Sequence, residues 1–231
     1  KGIKSFAMSA LALKAMNSMM GAPGNHSAFI KSDGSLWTMG KNDEGQLANS
    51  TNSDLNIPTI VSLGSFAVSL GNVSIGGSVA FDFAKVAIGG GHTIFVHRES
   101  FSKNAYLSGR NSSGQLGNGN QTPSNGYAYG LSGVRDAAAG GNFSLFLKDD
   151  GSLWGTGGNE YGQLGLGHEN NQSVPQMIVS SGVQRVSAGF DHAFYIKSDG
   201  SLWGMGRNDH GQLGTGDQID RNQSVLILSS G

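Results

Sequence analysis

Apolar residues occur along this chain in short runs that alternate with polar positions and end at glycine or at a small polar turn. The clearest series lies near the C-terminal end, where four runs follow one another at residues 183–189, 192–197, 201–205 and 225–228. The Asp199-Gly200 pair is a hairpin signal, because a two-residue turn needs a positive φ that Asp and Gly tolerate. Four short antiparallel strands punctuated by glycine are typical of one blade of a β-propeller.

The same pattern occurs four times, and its most regular part is a hairpin followed by a glycine-rich loop. Residues 199–214 contain Asp-Gly-Ser-Leu-Trp-Gly and then Gly-Gln-Leu-Gly, and residues 150–165 repeat both pieces. A third copy lies at 33–47, and a divergent copy with tyrosine in place of tryptophan lies at 106–117. One such unit cannot bury its own faces, so repeats predict a stack of units that share their cores. The predicted fold is all-β, a β-propeller of four four-stranded antiparallel blades.

The spacing of the repeats divides the chain into predicted segments. Blades are expected at residues 16–63, 83–133, 134–182 and 183–231, with an insert at 64–82 between the first two. The insert alternates apolar and small residues, which predicts an added hairpin. The second blade also has a longer hairpin of its own, around residues 98–101. Residues 1–15 are compatible with either a helix or a strand.

Composition narrows the functional classes. Charged residues make up 13% of the chain and the formal net charge is −1, so no broad surface for nucleic acid or an anionic membrane is indicated. The lack of cysteine excludes disulfides and thiolate chemistry but leaves the compartment open. The apolar run near the N-terminus is interrupted by Lys14 and is too short to span a bilayer.

The order His, Asp-Gly-x-Leu-Trp, Gly, Asn, Gly-Gln-Leu-Gly resembles the regulator of chromosome condensation repeat family, in a bacterial-type form, over residues 16–231. The resemblance implies a propeller, usually of about seven blades, that binds protein partners on a face or rim. Such a family includes guanine-nucleotide exchange factors, an ultraviolet photoreceptor and a bacterial inhibitor of β-lactamase. Four blades of this type predict an open or partial ring. The expected location is the exterior or the surface of a bacterial cell.

The repeated residues are predicted to be structural. Tryptophans, one per blade, offer apolar faces to the gap between blades, whereas a light sensor would crowd them on one face. Glutamine amides satisfy loop backbone groups, and the histidines form hydrogen bonds because metal binding needs several converging ligands. These structural repeat residues are Trp37, Tyr106, Trp154 and Trp203; Gln46, Gln115, Gln163 and Gln212; and His26, His92 and His192, with Phe143 in the remaining histidine position.

No catalytic, metal or cofactor site is predicted, because the chain has no nucleophile elbow, zinc-binding helix motif or phosphate loop. We therefore predict a non-enzymatic protein-binding or assembly module. The alternatives are an exchange-factor-like regulator of a small GTPase and a structural segment of a larger surface or filament protein. The expected partner is an unidentified protein, another copy or further blades, without nucleic acid or a membrane span. Candidate contact residues break the repeat, and local packing is their competing interpretation: Phe66, Phe81, Phe83, Arg98, Phe101, Lys103, Tyr127 and Tyr129.

Overall fold

The computed structural model describes residues 16–21, 24–61, 66–70, 73–77, 83–98 and 103–230, with the backbone alone described for 16–21, 66–70 and 73–77. Residues 1–15 lie outside the described part, as do Phe81 and Phe101 from the predicted contact set. All regular structure in the described part is β-strand. No helix that could span a membrane occurs among the described residues.

In the described part of the chain, eighteen strands form four sheets of four strands and one sheet of two. The first sheet contains β1 (Met16–Gly21), β2 (His26–Lys31), β3 (Leu36–Gly40) and β4 (Leu55–Ile60). The two-stranded sheet contains β5 (Phe66–Leu70) and β6 (Val73–Gly77). The second blade contains β7 (Phe83–Ile88), β8 (His92–His97), β9 (Ala105–Gly109) and β10 (Ser124–Leu131). The third contains β11 (Val134–Ala139), β12 (Phe143–Lys148), β13 (Leu153–Gly157) and β14 (Gln172–Val179), and the fourth contains β15 (Val183–Ala188), β16 (His192–Lys197), β17 (Leu202–Gly206) and β18 (Arg221–Leu228).

Within each blade the strands are antiparallel and follow one another in chain order. The hairpin between the second and third strands of the fourth blade shows how the sequence directs this. Lys197 N donates to Ser201 O, Gly200 N donates to Lys197 O, and Gly200 has a φ of 86°. The loop therefore has three residues, 198–200, rather than the predicted two, because glycine in the left-handed region follows a type I turn.

The four blades are stacked in chain order. The first strands lie side by side, since β11 contacts both β7 and β15, while the fourth strands are outermost and largely exposed. An apolar cluster fills each gap between successive blades. Phe95 and Ile30 meet in the first gap, Leu107 and Phe146 in the second, and Leu145 and Tyr195 in the third.

The ring of blades is open. In the described part of the chain, substantial packing joins the first blade to the second, the second to the third and the third to the fourth, and none joins the fourth to the first. Closure is the device by which a propeller removes exposed blade faces. The predicted all-β fold of four four-stranded blades in an open ring is thus confirmed.

Candidate functional site

The repeated hairpin motif forms a chain of three hydrogen-bonded side chains within one blade. Asp199 Oδ1 accepts a hydrogen bond from Ser201 Oγ at 2.6 Å, and Ser201 Oγ accepts one from Trp203 Nε1 at 2.9 Å. The same chain occurs in the first blade at residues 33–37 and in the third at 150–154. These bonds to serine lower the pKa of each aspartate carboxyl. The indole N–H is therefore already satisfied inside the blade.

The tryptophan rings are half-buried rather than fully enclosed. Trp203 packs against the cluster between the third and fourth blades and stacks on Tyr195, with ring centroids 6.2 Å apart. Its outer side lies under the ammonium group of Lys197, 4.4 Å from the ring centroid. In the second blade Tyr106 takes the tryptophan position, and its hydroxyl accepts a hydrogen bond from Asn104 Nδ2 at 3.4 Å. This arrangement shields blade edges from water.

The glycine-rich loop is held by one asparagine and one glutamine in every blade. In the third blade, Asn159 Oδ1 accepts the amide of Leu164 at 2.9 Å, and Gln163 Oε1 accepts the amide of Tyr161 at 2.9 Å. Equivalent glutamine bonds occur at Gln46, Gln115 and Gln212. The asparagines were not among the predicted structural residues, although they recur at a fixed spacing before each Gly-Gln-Leu and are fully buried: Asn42, Asn111, Asn159 and Asn208.

Two histidines connect successive blades. His26 Nε2 lies 2.9 Å from Thr93 Oγ1 of the second blade, and Thr93 Oγ1 donates to the Gln46 carbonyl oxygen at 2.8 Å. Because the single hydroxyl hydrogen goes to the carbonyl, His26 must donate from Nε2 to the hydroxyl oxygen. His92 and Ser144 repeat this contact between the second and third blades at 2.9 Å, with Ser144 donating to the Gln115 carbonyl.

Both connecting histidines are held in the neutral form. Burial lowers the pKa of His26 to about 4. Burial and, to a smaller extent, repulsion from a protonated His26 lower the pKa of His92 to about 3. His26 is 3% exposed and His92 is fully buried. Each therefore serves as a neutral N–H donor at physiological pH, a structural task that needs no metal. Among the described residues, no group of three or more potential metal ligands occurs.

The third blade uses a different pair at the same place. Phe143 occupies the histidine position, and the residue facing it from the fourth blade is Ala193 rather than serine or threonine. Phe143 and Ala193 belong to one buried cluster. A hydroxyl at position 193 would have no imidazole partner at position 143. Both positions therefore differ together from those of the other two interfaces. His192, in the fourth blade, faces no following blade and is half-exposed.

The predicted contact residues fall into three groups. Phe83 is 1% exposed and packs in the cluster between the first two blades, so its interior position assigns it to the core instead of to a partner contact. The Tyr127 ring packs on Phe95 and Tyr106, and burial raises the pKa of its hydroxyl. Phe66 lies in β5 without a described side chain.

The remaining candidates lie toward the surface of the second blade. Tyr129 is 52% exposed on the outer strand β10, where its ring lies against that of Tyr106 with the ring centroids 6.0 Å apart. Lys103 forms an exposed ion pair with Asp149 of the third blade at 2.8 Å. Arg98 Nη2 donates to the Phe83 carbonyl oxygen at 3.5 Å. Among the predicted residues whose side chains the structure describes, Tyr129 is thus the best-exposed aromatic residue.

The repeats identify the family. The model of the regulator of chromosome condensation (RCC1) repeat matches residues 33–96, 150–196 and 199–226, and a second model of the same repeat matches 134–163 and 183–212. The chain belongs to the RCC1 repeat family. These matches cover more than half of the chain and coincide with the blades that carry the hydrogen-bond pattern described above.

Comparison with known proteins places this RCC1 chain among larger relatives. It is 33% identical over 144 residues to the protein RCC2 homolog of Xenopus laevis, covering 61% of this chain and 25% of that protein. It is 31% identical over 158 residues to the human X-linked retinitis pigmentosa GTPase regulator, covering 66% of this chain and 14% of that protein. Human WBSCR16 shares the fold, with a TM-score of 0.73 and 23% identity over 92% of this chain and 54% of that chain. The chain thus spans only part of the length of these relatives.

Proposed function

We propose that this RCC1 chain is a non-enzymatic scaffold that binds a protein partner through residues outside its repeat pattern. The observation that carries the proposal is the use of the repeated polar residues. In every blade the buried asparagine and the loop glutamine accept hydrogen bonds from loop backbone amides. Two of the three repeat histidines form contacts between blades. A rigid scaffold of this kind leaves recognition to positions where the repeat is broken.

The second blade supplies such positions. Tyr129 projects from its outer strand and is aromatic where the other blades carry Ile60, Met177 and Leu226. Lys103 lies at the junction with the third blade. Exposed aromatic side chains on rigid strands are typical anchors of protein interfaces, because they bury a large area at low entropic cost. The expected surface therefore centres on Tyr129, on the outer strand β10 of the second blade.

The chain offers a matched control for this surface. Met177 occupies the register position of Tyr129 in the third blade, since Met177 pairs with Trp154 as Tyr129 pairs with Tyr106, and both side chains are 52% exposed. Affinity capture with the immobilised chain is expected to recover a protein that the Tyr129→Ala variant loses and the Met177→Ala variant retains. Equal capture by both variants would remove the second blade from the proposal.

The second candidate function is regulation of a small GTPase. It is favoured by the similarity to a protein named as a GTPase regulator. Release of a fluorescent guanine nucleotide from a panel of small GTPases distinguishes the two functions. A scaffold leaves the release rates unchanged, whereas an exchange factor accelerates release at substoichiometric amounts. Acceleration that is lost in the Tyr129→Ala variant would replace the scaffold with the regulator.

A further inference from the structure

The fourth blade presents an uncovered face that is built like the covered faces of the other blades. We call the side of a blade that packs on the following blade its front face, and the opposite side its rear face. On the front face of the third blade, Leu145 and Leu153 are completely buried beneath the fourth blade. The equivalent residues of the fourth blade, Phe194 and Leu202, are apolar as well but half-exposed.

The glycine-rich loop of the fourth blade shows the same contrast. A Cβ on Gly45 would overlap Asn125 of the following blade, and a Cβ on Gly162 would overlap Asn222. Glycine is required there because the outer strand of the next blade crosses the loop. At Gly211 a Cβ would meet nothing nearer than 3.9 Å. Beside Gly211, the space is therefore open that Asn125 and Asn222 of the following blades occupy beside Gly45 and Gly162.

The front face of the fourth blade also carries one side of the polar contact between blades. His192 occupies the position of His26 and His92, and Gln212 occupies that of Gln46 and Gln115, whose carbonyls accept a hydroxyl from the next blade. Within the described part of the chain, no hydroxyl reaches the ring nitrogens of His192 or the carbonyl of Gln212. A serine or threonine on the next rear face would complete both bonds.

The rear face of the first blade carries the matching residues. Ser27 occupies the position of Thr93 and Ser144, and Asn56 occupies that of Asn125 and Asn222. Ser27 is half-exposed, whereas Thr93 and Ser144 are completely buried. Met39 matches Met205 and is also half-exposed, while Phe29, which matches Tyr195, is 8% exposed and stacks on Trp37.

At the two positions of the polar contact, the free faces differ from the interface between the third and fourth blades. That interface pairs Phe143 with Ala193, and the free faces carry His192 and Ser27 at the same two positions. We propose that the front face of the fourth blade binds the rear face of the first blade of a second copy of this chain. Two copies of the 231-residue chain joined in this way at both ends would form a ring of eight blades, within the range of known propellers.

One residue weakens this contact relative to those inside the chain. Gly90 and Gly141 lie where the backbone of the following blade approaches most closely, and a Cβ there would be 2.7 Å from Gly141 O and 2.8 Å from the Phe190 ring, respectively. Phe190 stands at this position in the fourth blade and is 52% exposed. The association is therefore expected to be reversible and to depend on concentration.

Sedimentation velocity of the 231-residue chain over a range of concentrations tests the proposal. The expected species is a dimer of twice the 23.9 kDa chain mass, in exchange with monomer. His192→Phe and Ser27→Ala are each expected to weaken association at least about tenfold. The first leaves the Ser27 hydroxyl without its donor, and the second leaves the His192 N–H and the Gln212 carbonyl unpaired. The double variant recreates the Phe143–Ala193 pair and is expected to regain association.

A glycine pair controls for backbone strain. Gly211 and Gly216 have φ values of 75° and 84°, and a Cβ at Gly216 meets nothing within 4 Å. Alanine at either position carries the same strain, but only Gly211→Ala is expected to abolish the dimer, with melting temperatures confirming that both variants fold. A monomer at all concentrations, including one whose free face is covered by residues 1–15, would overturn the proposal. So would association that none of these variants changes.

Discussion

The two buried histidines make the stability of this propeller depend on pH. Burial lowers the folded-state pKa of His26 to about 4 and of His92 to about 3, whereas an unfolded chain has histidine pKa values near 6.5. The unfolded state therefore binds more protons than the folded state between these values. Stability is fully present above about pH 6.5 and falls as pH drops through 6.5 toward the folded pKa values.

The magnitude follows from the same pKa differences. At pH 5 each histidine costs about 2 kcal/mol of folding free energy relative to pH 7.5, and the two together cost about 4 kcal/mol. Asp191, whose pKa is raised by burial, acts in the opposite direction but is partly exposed. The free energy of unfolding of a domain is about 5–15 kcal/mol, so a loss of about 4 kcal/mol from the two histidines is large.

Urea unfolding at pH 7.5 and pH 5.0 measures the effect by linear extrapolation. The double variant His92→Phe with Ser144→Ala reproduces the Phe143–Ala193 pair and removes one of the two histidines. It is expected to lose only about half as much stability between the two pH values. Equal stability of the parent chain at both pH values would refute the assignment of the histidines as buried neutral donors.

Three further stability predictions use the same urea assay. Trp203→Ala is expected to cost about 2 kcal/mol, less than a fully buried tryptophan, because its ring is half-exposed; a cost near zero would contradict a packing role. Asn159→Ala is expected to cost about 2–3 kcal/mol, since the buried amide serves Leu164 N and the loop carbonyls of residues 168 and 170; a neutral result would show that water replaces it. Gly162→Ala is expected to destabilise the chain far more than Gly216→Ala, because only the former meets Asn222 of the next blade; equal costs would mean that backbone strain alone decides.

Much of the fold was predictable from the sequence because the repeat is strict where backbone geometry demands it. The Asp-Gly-Ser-Leu-Trp hairpin recurs because one hydrogen-bond chain, from Asp199 through Ser201 to Trp203, fixes both the turn and the indole. The loop glutamines were also predictable, since an amide that both donates and accepts suits an irregular backbone. Fixed local spacing makes such features visible in one sequence.

Contacts between blades were not predictable in the same way. His26 meets Thr93 and His92 meets Ser144, partners that lie 67 and 52 residues away and differ in residue type. Phe83 follows the insert in sequence, yet its side chain is in the core because β7 begins there. The alternation of the strands identified apolar positions, but only the stacking of the blades determines which of them another blade covers.

The central claim is that the four blades form an open ring, in which the described parts of the first and fourth blades do not pack on each other, and a distance measurement tests it most directly. Between adjacent blades, Asn125 Nδ2 lies 2.9 Å from Asn52 Oδ1. The equivalent positions at the ends of the chain are Asn56 and Gln218. Since the chain has no native cysteine, spin labels can be attached at either pair after substitution with cysteine.

Pulsed electron–electron double resonance then measures the distance between the two spin labels in each labelled chain. Each sample is diluted with excess unlabelled protein, so that only distances within one chain contribute. The open ring predicts a short distance for positions 52 and 125 and a clearly longer one for positions 56 and 218. Equal short distances for both pairs would show that the first and fourth blades meet within one monomer, and would contradict the account.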